Sequence, residues 1–179
     1  MSKKKASESE VIVDKKKGRK LFRAALKLYR IGDCEGAIEY IDEALIAHPD
    51  NYEYHNQKGV ILDRIESHEE AIEAYNQAIK VDPNQTKAFY NKGLALKDLK
   101  KYEDALRTFD EVTKINIVHL SAHFEKAVIY ELLGNYPEAI KRYEVILEVR
   151  PSADNVKRRL NKALEKYSEI TNVWKDKIK

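Results

Sequence analysis

Residues 52–85, YEYHNQKGVILDRIESHEEAIEAYNQAIKVDPNQ, and residues 86–119, TKAFYNKGLALKDLKKYEDALRTFDEVTKINIVH, decide the fold, because the second lies over the first without a gap. Gly59 falls on Gly93, Leu62 on Leu96, Ala71 on Ala105 and Tyr75 on Phe109, each pair 34 positions apart. The same interval carries the pattern outward. Ala37 and Ala139 extend the alanine series, Ile41 and Tyr143 the bulky series, Leu28 and Tyr130 the leucine series. Pro49, Pro83 and Pro151 obey it as well, with Ile117 standing where a fourth proline would be. A fixed period of this length marks a chain built from stacked supersecondary units. The spacing divides the chain into a segment 1–17, four repeats at 18–51, 52–85, 86–119 and 120–153, and a closing segment 154–179.

Among 179 residues only six are Gly and four are Pro, too few turn formers for hairpins or sandwiches, so the fold class is all-α. A charged fraction of 35% implies a large exposed surface. Each repeat holds two amphipathic runs, such as 52–65 and 68–81, with apolar or small residues at three- and four-residue spacings. Ser67 followed by Glu70 reads as a capping box opening a second helix, and Asn135 with Pro137 and Glu138 does the same in the fourth repeat. Pro49, Pro83 and Pro151 stop the second helices. A helix pair this short cannot cover its own apolar face, so its stability depends on stacking against the next pair.

The pattern of Gly59, Leu62, Ala71, Tyr75, Ala78 and Pro83, and of Phe89, Gly93, Leu96, Ala105 and Phe109, resembles the tetratricopeptide repeat. The departures are the missing tryptophan in every repeat, Ala25 and Ala127 in place of glycine, and Ile115, Ile117 and Val118 around the third proline site. The resemblance implies a right-handed superhelical solenoid of antiparallel helix pairs, four such repeats closed by a long capping helix. It also implies a non-catalytic protein–protein interaction adaptor or scaffold, with a peptide or helix of a partner held in a concave groove lined by the first helix of each repeat. Carried over by register, the groove includes Phe22, Arg23, Leu26 and Arg30, then Asn56, Gln57, Val60 and Arg64. The third repeat adds Lys87, Tyr90, Asn91, Leu94 and Lys97, the fourth Phe124, Glu125, Val128 and Glu131, and the closing helix Arg158, Arg159 and Lys162. Phe22, Tyr90 and Phe124 occupy matching sites and are expected as exposed anchors. The Lys and Asn clamp by which some members hold the terminal carboxylate of chaperone tails is not completed in either register, since Asn91 is flanked by Asn56 with Val60 and by Ser121 with Glu125.

Nothing in the chain has the spacing of a catalytic site, and no cofactor or metal is expected. His119 and His123 lie four apart but have no third ligand, and His123, like His55, stands at the site of the missing tryptophan, so packing accounts for them. Cys34 shares its register with His68, Tyr102 and Tyr136 and reads as a small buried residue.

Charge is uneven: residues 1–20 carry net +5 and 154–179 net +4, leaving −6 on the rest. An acidic body with basic ends is not expected to bind nucleic acid along its working face. Residues 1–17 read as a flexible basic tail. The apolar run Val11-Ile12-Val13 is too short for a signal peptide, and no window spans a bilayer, so the protein is expected to be soluble and cytoplasmic, without membrane contact. The stripe of the closing helix outruns a neighbour of fourteen residues. Ile170, Trp174 and Ile178 therefore form the alternative site, a self-association surface for a structural homo-oligomer.

Overall fold

The computed structural model describes the backbone of residues 2–177 and the side chains of residues 14–172. The described backbone forms nine α-helices and no strand: α1 (Ser2–Ile31), α2 (Cys34–Ala47), α3 (Tyr52–Arg64), α4 (His68–Val81), α5 (Thr86–Asp98), α6 (Tyr102–Ile115), α7 (Leu120–Leu132), α8 (Tyr136–Val149) and α9 (Asp154–Lys177). They fall into two compact bodies, Met1–Leu99 and Lys100–Lys179, which are described separately. The division passes through the third repeat, whose α5 belongs to the first body and α6 to the second.

In the first body α1 packs on α2, α2 on α3, α3 on α4 and α4 on α5. Its core joins Phe22, Ala25, Ala37, Ile41, Ala44, Tyr54 and Ile61, with a second cluster of Leu62, Ala71, Ala74, Tyr75 and Ala95. Gly59 shows why the small sites are small, because a Cβ there would stand 2.4 Å from Cε1 of Tyr75. In the second body α6 packs on α7, α7 on α8 and α8 on α9, around Ala127, Ala139, Tyr143, Ile146 and Val156. Gly93 and Ala105 are both buried.

The helix ends follow the sequence with two differences. The second helices stop at Ala47, Val81 and Val149, ahead of Pro49, Pro83 and Pro151. α6 stops at Ile115 without a proline: Asn116 takes the extended cap conformation and its Oδ1 accepts from the Val118 amide at 3.2 Å. Asn135 caps α8 as expected, accepting from the Glu138 amide. Ser67 stands at the cap of α4 but makes no side-chain cap bond, so the expected capping box does not form. That turn is held instead by the Ser67 amide donating to the Leu62 carbonyl at 3.0 Å and by His68 Nδ1 lying 3.0 Å from Asp63. The first-to-second helix turns also share a left-handed residue at one register: Gly32, Glu66, Lys100 and Gly134 all have positive φ.

The second difference concerns the flexible tail expected over 1–17. α1 is helical from Ser2, so the backbone continues the first helix through that segment. Residues 2–17 hold no Gly or Pro, and adding turns to a helix already nucleated by packing costs far less than starting one. α9 has 24 residues against 14 in α8, and after Ala163 the residues through Ile170 are exposed. No helix among the described residues is long and apolar enough to cross a membrane.

Candidate functional site

The candidate residues carried over by register meet different environments in the structure. In the first body Phe22 is buried, its ring stacked on Tyr54 with centroids 4.6 Å apart. It is a core residue, which corrects the expected exposed anchor: Tyr54, on the next first helix, is large enough to cover it. Asn56 is also buried, and its Oδ1 accepts from Asn91 Nδ2 at 3.1 Å, so this amide pair joins α3 to α5. Arg64 lies over the Tyr29 ring at 4.9 Å and donates to the Tyr29 carbonyl at 3.4 Å. Arg23 and Lys87 are exposed, and Gln57, Val60, Tyr90 and Leu94 are half-buried.

The second body brings more of the set together. Phe124 is half-buried and meets Tyr143 edge-on at 6.1 Å, while the Arg159 guanidinium from α9 sits 5.5 Å from the Phe124 ring centre. Arg159 also donates to Glu131 and, at 3.3 Å, to the Tyr143 hydroxyl. Burial pushes the Tyr143 phenol up to about 12, so it stays protonated. This cluster fixes one wall of a hollow of about 520 Å³, lined by Val128, Glu131, Leu132, Tyr136, Arg159, Lys162, Ala163 and Lys166. Val128, Leu132 and Ala163 supply apolar lining, and Glu131 with three cations supplies polar lining. Sequence reasoning missed Leu132, Tyr136, Ala163 and Lys166 here. The spacing of Arg159, Lys162 and Lys166 on one face of α9 is the signal that points to them.

Glu125 is half-buried on α7, whereas Arg158 is exposed and does not line the hollow. Ile170 is exposed; the side chains of Trp174 and Ile178 lie outside the described residues.

Polar clusters elsewhere hold structure. Asp63 accepts from the Tyr75 hydroxyl at 2.6 Å and faces His68, which that hydrogen bond holds above its ordinary pKa. His119 caps α7 by accepting from the Ala122 amide at 3.2 Å. His123 is buried with Nε2 2.9 Å from the Ile117 carbonyl, and burial holds it below the ordinary histidine pKa. Cys34 is buried at the start of α2. Among the described residues no group of His, Cys, Asp and Glu is arranged to hold a metal ion.

A family model described as the tetratricopeptide repeat matches residues 22–86 and 90–155. No curated protein matches the chain. Among solved structures, one of the MamA protein is 22% identical with a TM-score of 0.75, covering 90% of this chain and 84% of its own. YrrB, described as a repeat protein of the same kind with an unusual peptide-binding site, is 20% identical with a TM-score of 0.69, covering 78% and 72%. The first repeat domain of Spaghetti (RPAP3), bound to the HSP90 peptide SRMEEVD, is 22% identical with a TM-score of 0.64, covering 67% and 95%.

Proposed function

The chain belongs to the tetratricopeptide repeat family, and on that premise we propose that it is a non-catalytic scaffold which binds a peptide or helix of a partner protein on its first-helix faces. The observation that carries this reading is the hollow between α7 and α9. It combines apolar lining with the exposed Lys162 and Lys166, the composition that anchors an apolar side chain and directs a neighbouring carboxylate. The Phe124–Arg159–Glu131 cluster orders that wall before a ligand arrives, which reduces the entropy lost on binding. The peptides associated with YrrB and with the RPAP3 domain support a peptide as the ligand class. The incomplete Lys and Asn clamp argues for a ligand other than a chaperone tail.

Affinity capture from source lysate at low and high salt tests this, with wild type beside Val128→Asp and Lys162→Glu. The expected result is a partner captured by wild type and lost from both variants while far-UV circular dichroism stays native. Equal capture by all three removes the hollow from the account.

A second reading, self-assembly through the end of α9, is favoured by one observation: Leu164, Tyr167 and Ile170 are 45%, 41% and 42% exposed along one helix. Light scattering of the full chain beside a chain ending after Tyr167 distinguishes it, since only this reading loses its oligomer on truncation and keeps it in high salt.

A further inference from the structure

Every first-type helix after α1 is buried at the third and tenth positions of its repeat: Tyr54 and Ile61, Ala88 and Ala95, Ala122 and Ile129, Val156 and Ala163. The same face receives the preceding second helix through an ion pair, Lys58 of α3 on Asp42 of α2 at 2.6 Å and Lys126 of α7 on Asp110 of α6. In α1 these two positions hold Lys20 and Lys27, both exposed. With Lys16 and Arg23 they form one stripe at steps of four, three and four residues, and none of the four makes an ion pair among the described residues. Residues 14–30 carry eight cations against Asp14, net +7, whereas residues 34–81 carry eleven carboxylates against three cations, net −8.

An exposed helix face that only has to stay wet is served by mixed charge. α9 follows that pattern, pairing Lys157 with Asp154 and Lys166 with Glu169 along its own exposed face. α1 does not. Its counterpart lies on α2, where Glu35, Glu39 and Glu43 are exposed at four-residue steps and likewise make no ion pair among the described residues. Along straight axes Lys20 and Lys27 are about 10 Å apart and Glu35 and Glu43 about 12 Å apart, so the two stripes match in length. Among the described residues the stripe has Ala24 beside it and a single large apolar side chain, Ile31, one turn beyond Lys27, a narrower apolar margin than that of a helix lying in a membrane surface.

We propose that the basic stripe of α1 docks on the acidic stripe of α2 in a second copy of this chain, giving a salt-sensitive self-association. It repeats between chains the cation-on-acidic-helix contact that α3 makes with α2 and α7 with α6. Because both stripes are present in every copy, each chain offers donor and acceptor faces alike.

The test is light scattering and sedimentation of the full chain at about 50 mM and about 500 mM salt, where screening shortens from beyond to below about 10 Å. The expected result is an oligomer at low salt that dissociates at high salt. Lys20→Glu with Lys27→Glu, or Glu39→Lys with Glu43→Lys, weakens association about tenfold or more, and mixing the two reversed proteins restores it. These positions are exposed, so the reversed chains are expected to keep native circular dichroism. A wild type that stays monomeric at low salt, or reversed chains that associate as wild type does, overturns the proposal. So does a monomer that binds labelled duplex DNA through Lys20 and Lys27, which makes the stripe a polyanion site. Truncation after Tyr167 leaves this association intact, so its outcome is separable from assembly through α9 and from peptide capture at Val128.

Discussion

Repeats two and four contain the same devices at matching positions, 68 residues apart (58 to 126), and differ in how deeply each is set. Asn51 and His119, the residues just ahead of these repeats, cap their first helices, and His55 and His123 each place Nε2 within 2.9 Å of the carbonyl six residues earlier. Lys58 pairs with Asp42 at a site where its side chain is 28% exposed, but Lys126 pairs with Asp110 from a side chain only 4% exposed. In repeat two the Tyr75 hydroxyl and His68 close on Asp63 inside the repeat. In repeat four the longer Glu131 stands at that place, Tyr136 replaces His68, and Arg159 arrives from the next helix to join Glu131 and Tyr143. Arg159, standing where the third repeat has Asn91, thus turns a link closed within a hairpin into one handed onward, and the candidate hollow lies beside the second kind.

The largest expected contrast is between the two lysine pairs. Asp110→Asn leaves a buried ammonium without its counter-charge and is expected to cost about 3 kcal/mol, against under about 1 kcal/mol for Asp42→Asn, by urea denaturation. Equal losses would mean that burial does not separate the two sites.

Gly59→Ala drives a Cβ into the Tyr75 ring and is expected to cost about 1–3 kcal/mol of overpacking. The reverse change in repeat four, Ala127→Gly, is expected to cost about 1 kcal/mol from helix propensity, plus the lost packing of a fully buried methyl.

The turns give a gain. Glu66 and Lys100 take the left-handed conformation that Gly32 and Gly134 adopt without penalty. Glu66→Gly and Lys100→Gly are each expected to raise stability by about 1 kcal/mol, measured as a higher urea midpoint at unchanged m-value.

The smallest effect separates the histidines by pH. His68 is held above its ordinary pKa by Asp63, so its contribution is full below that ordinary value and is lost as pH rises through the folded value. His123 is held below by burial, so stability falls as pH drops from the ordinary value toward the folded one. NMR titration is expected to place the His68 midpoint above and the His123 midpoint below 6.5.

The period of 34 made the helices and their stops readable, because Gly59, Ala71 and Pro83 each have one physical job that recurs. It did not reveal which rings would be exposed. Phe22 and Phe124 share a register, but Phe22 is covered by Tyr54, whereas the matching residue after Phe124 is Val156, and Arg159 lies over the ring instead. Such pairings depend on the residue opposite, which a repeat pattern averages away. The capping box at Ser67 failed for a similar reason: Asp63 and His68 hold the turn that the hydroxyl was expected to hold. The longer 68-residue correspondence of Asn51, His55 and Lys58 with His119, His123 and Lys126 was present in the sequence, but it becomes informative only once their shared contacts are seen.

The lone thiol has a practical consequence. Cys34 is 7% exposed in the first turn of α2, in the same core as Phe22 and Ala25 of α1. An alkylating reagent reaches it when the α1–α2 pair parts, so the labelling rate of the unmodified protein is a clock for the local opening of that pair.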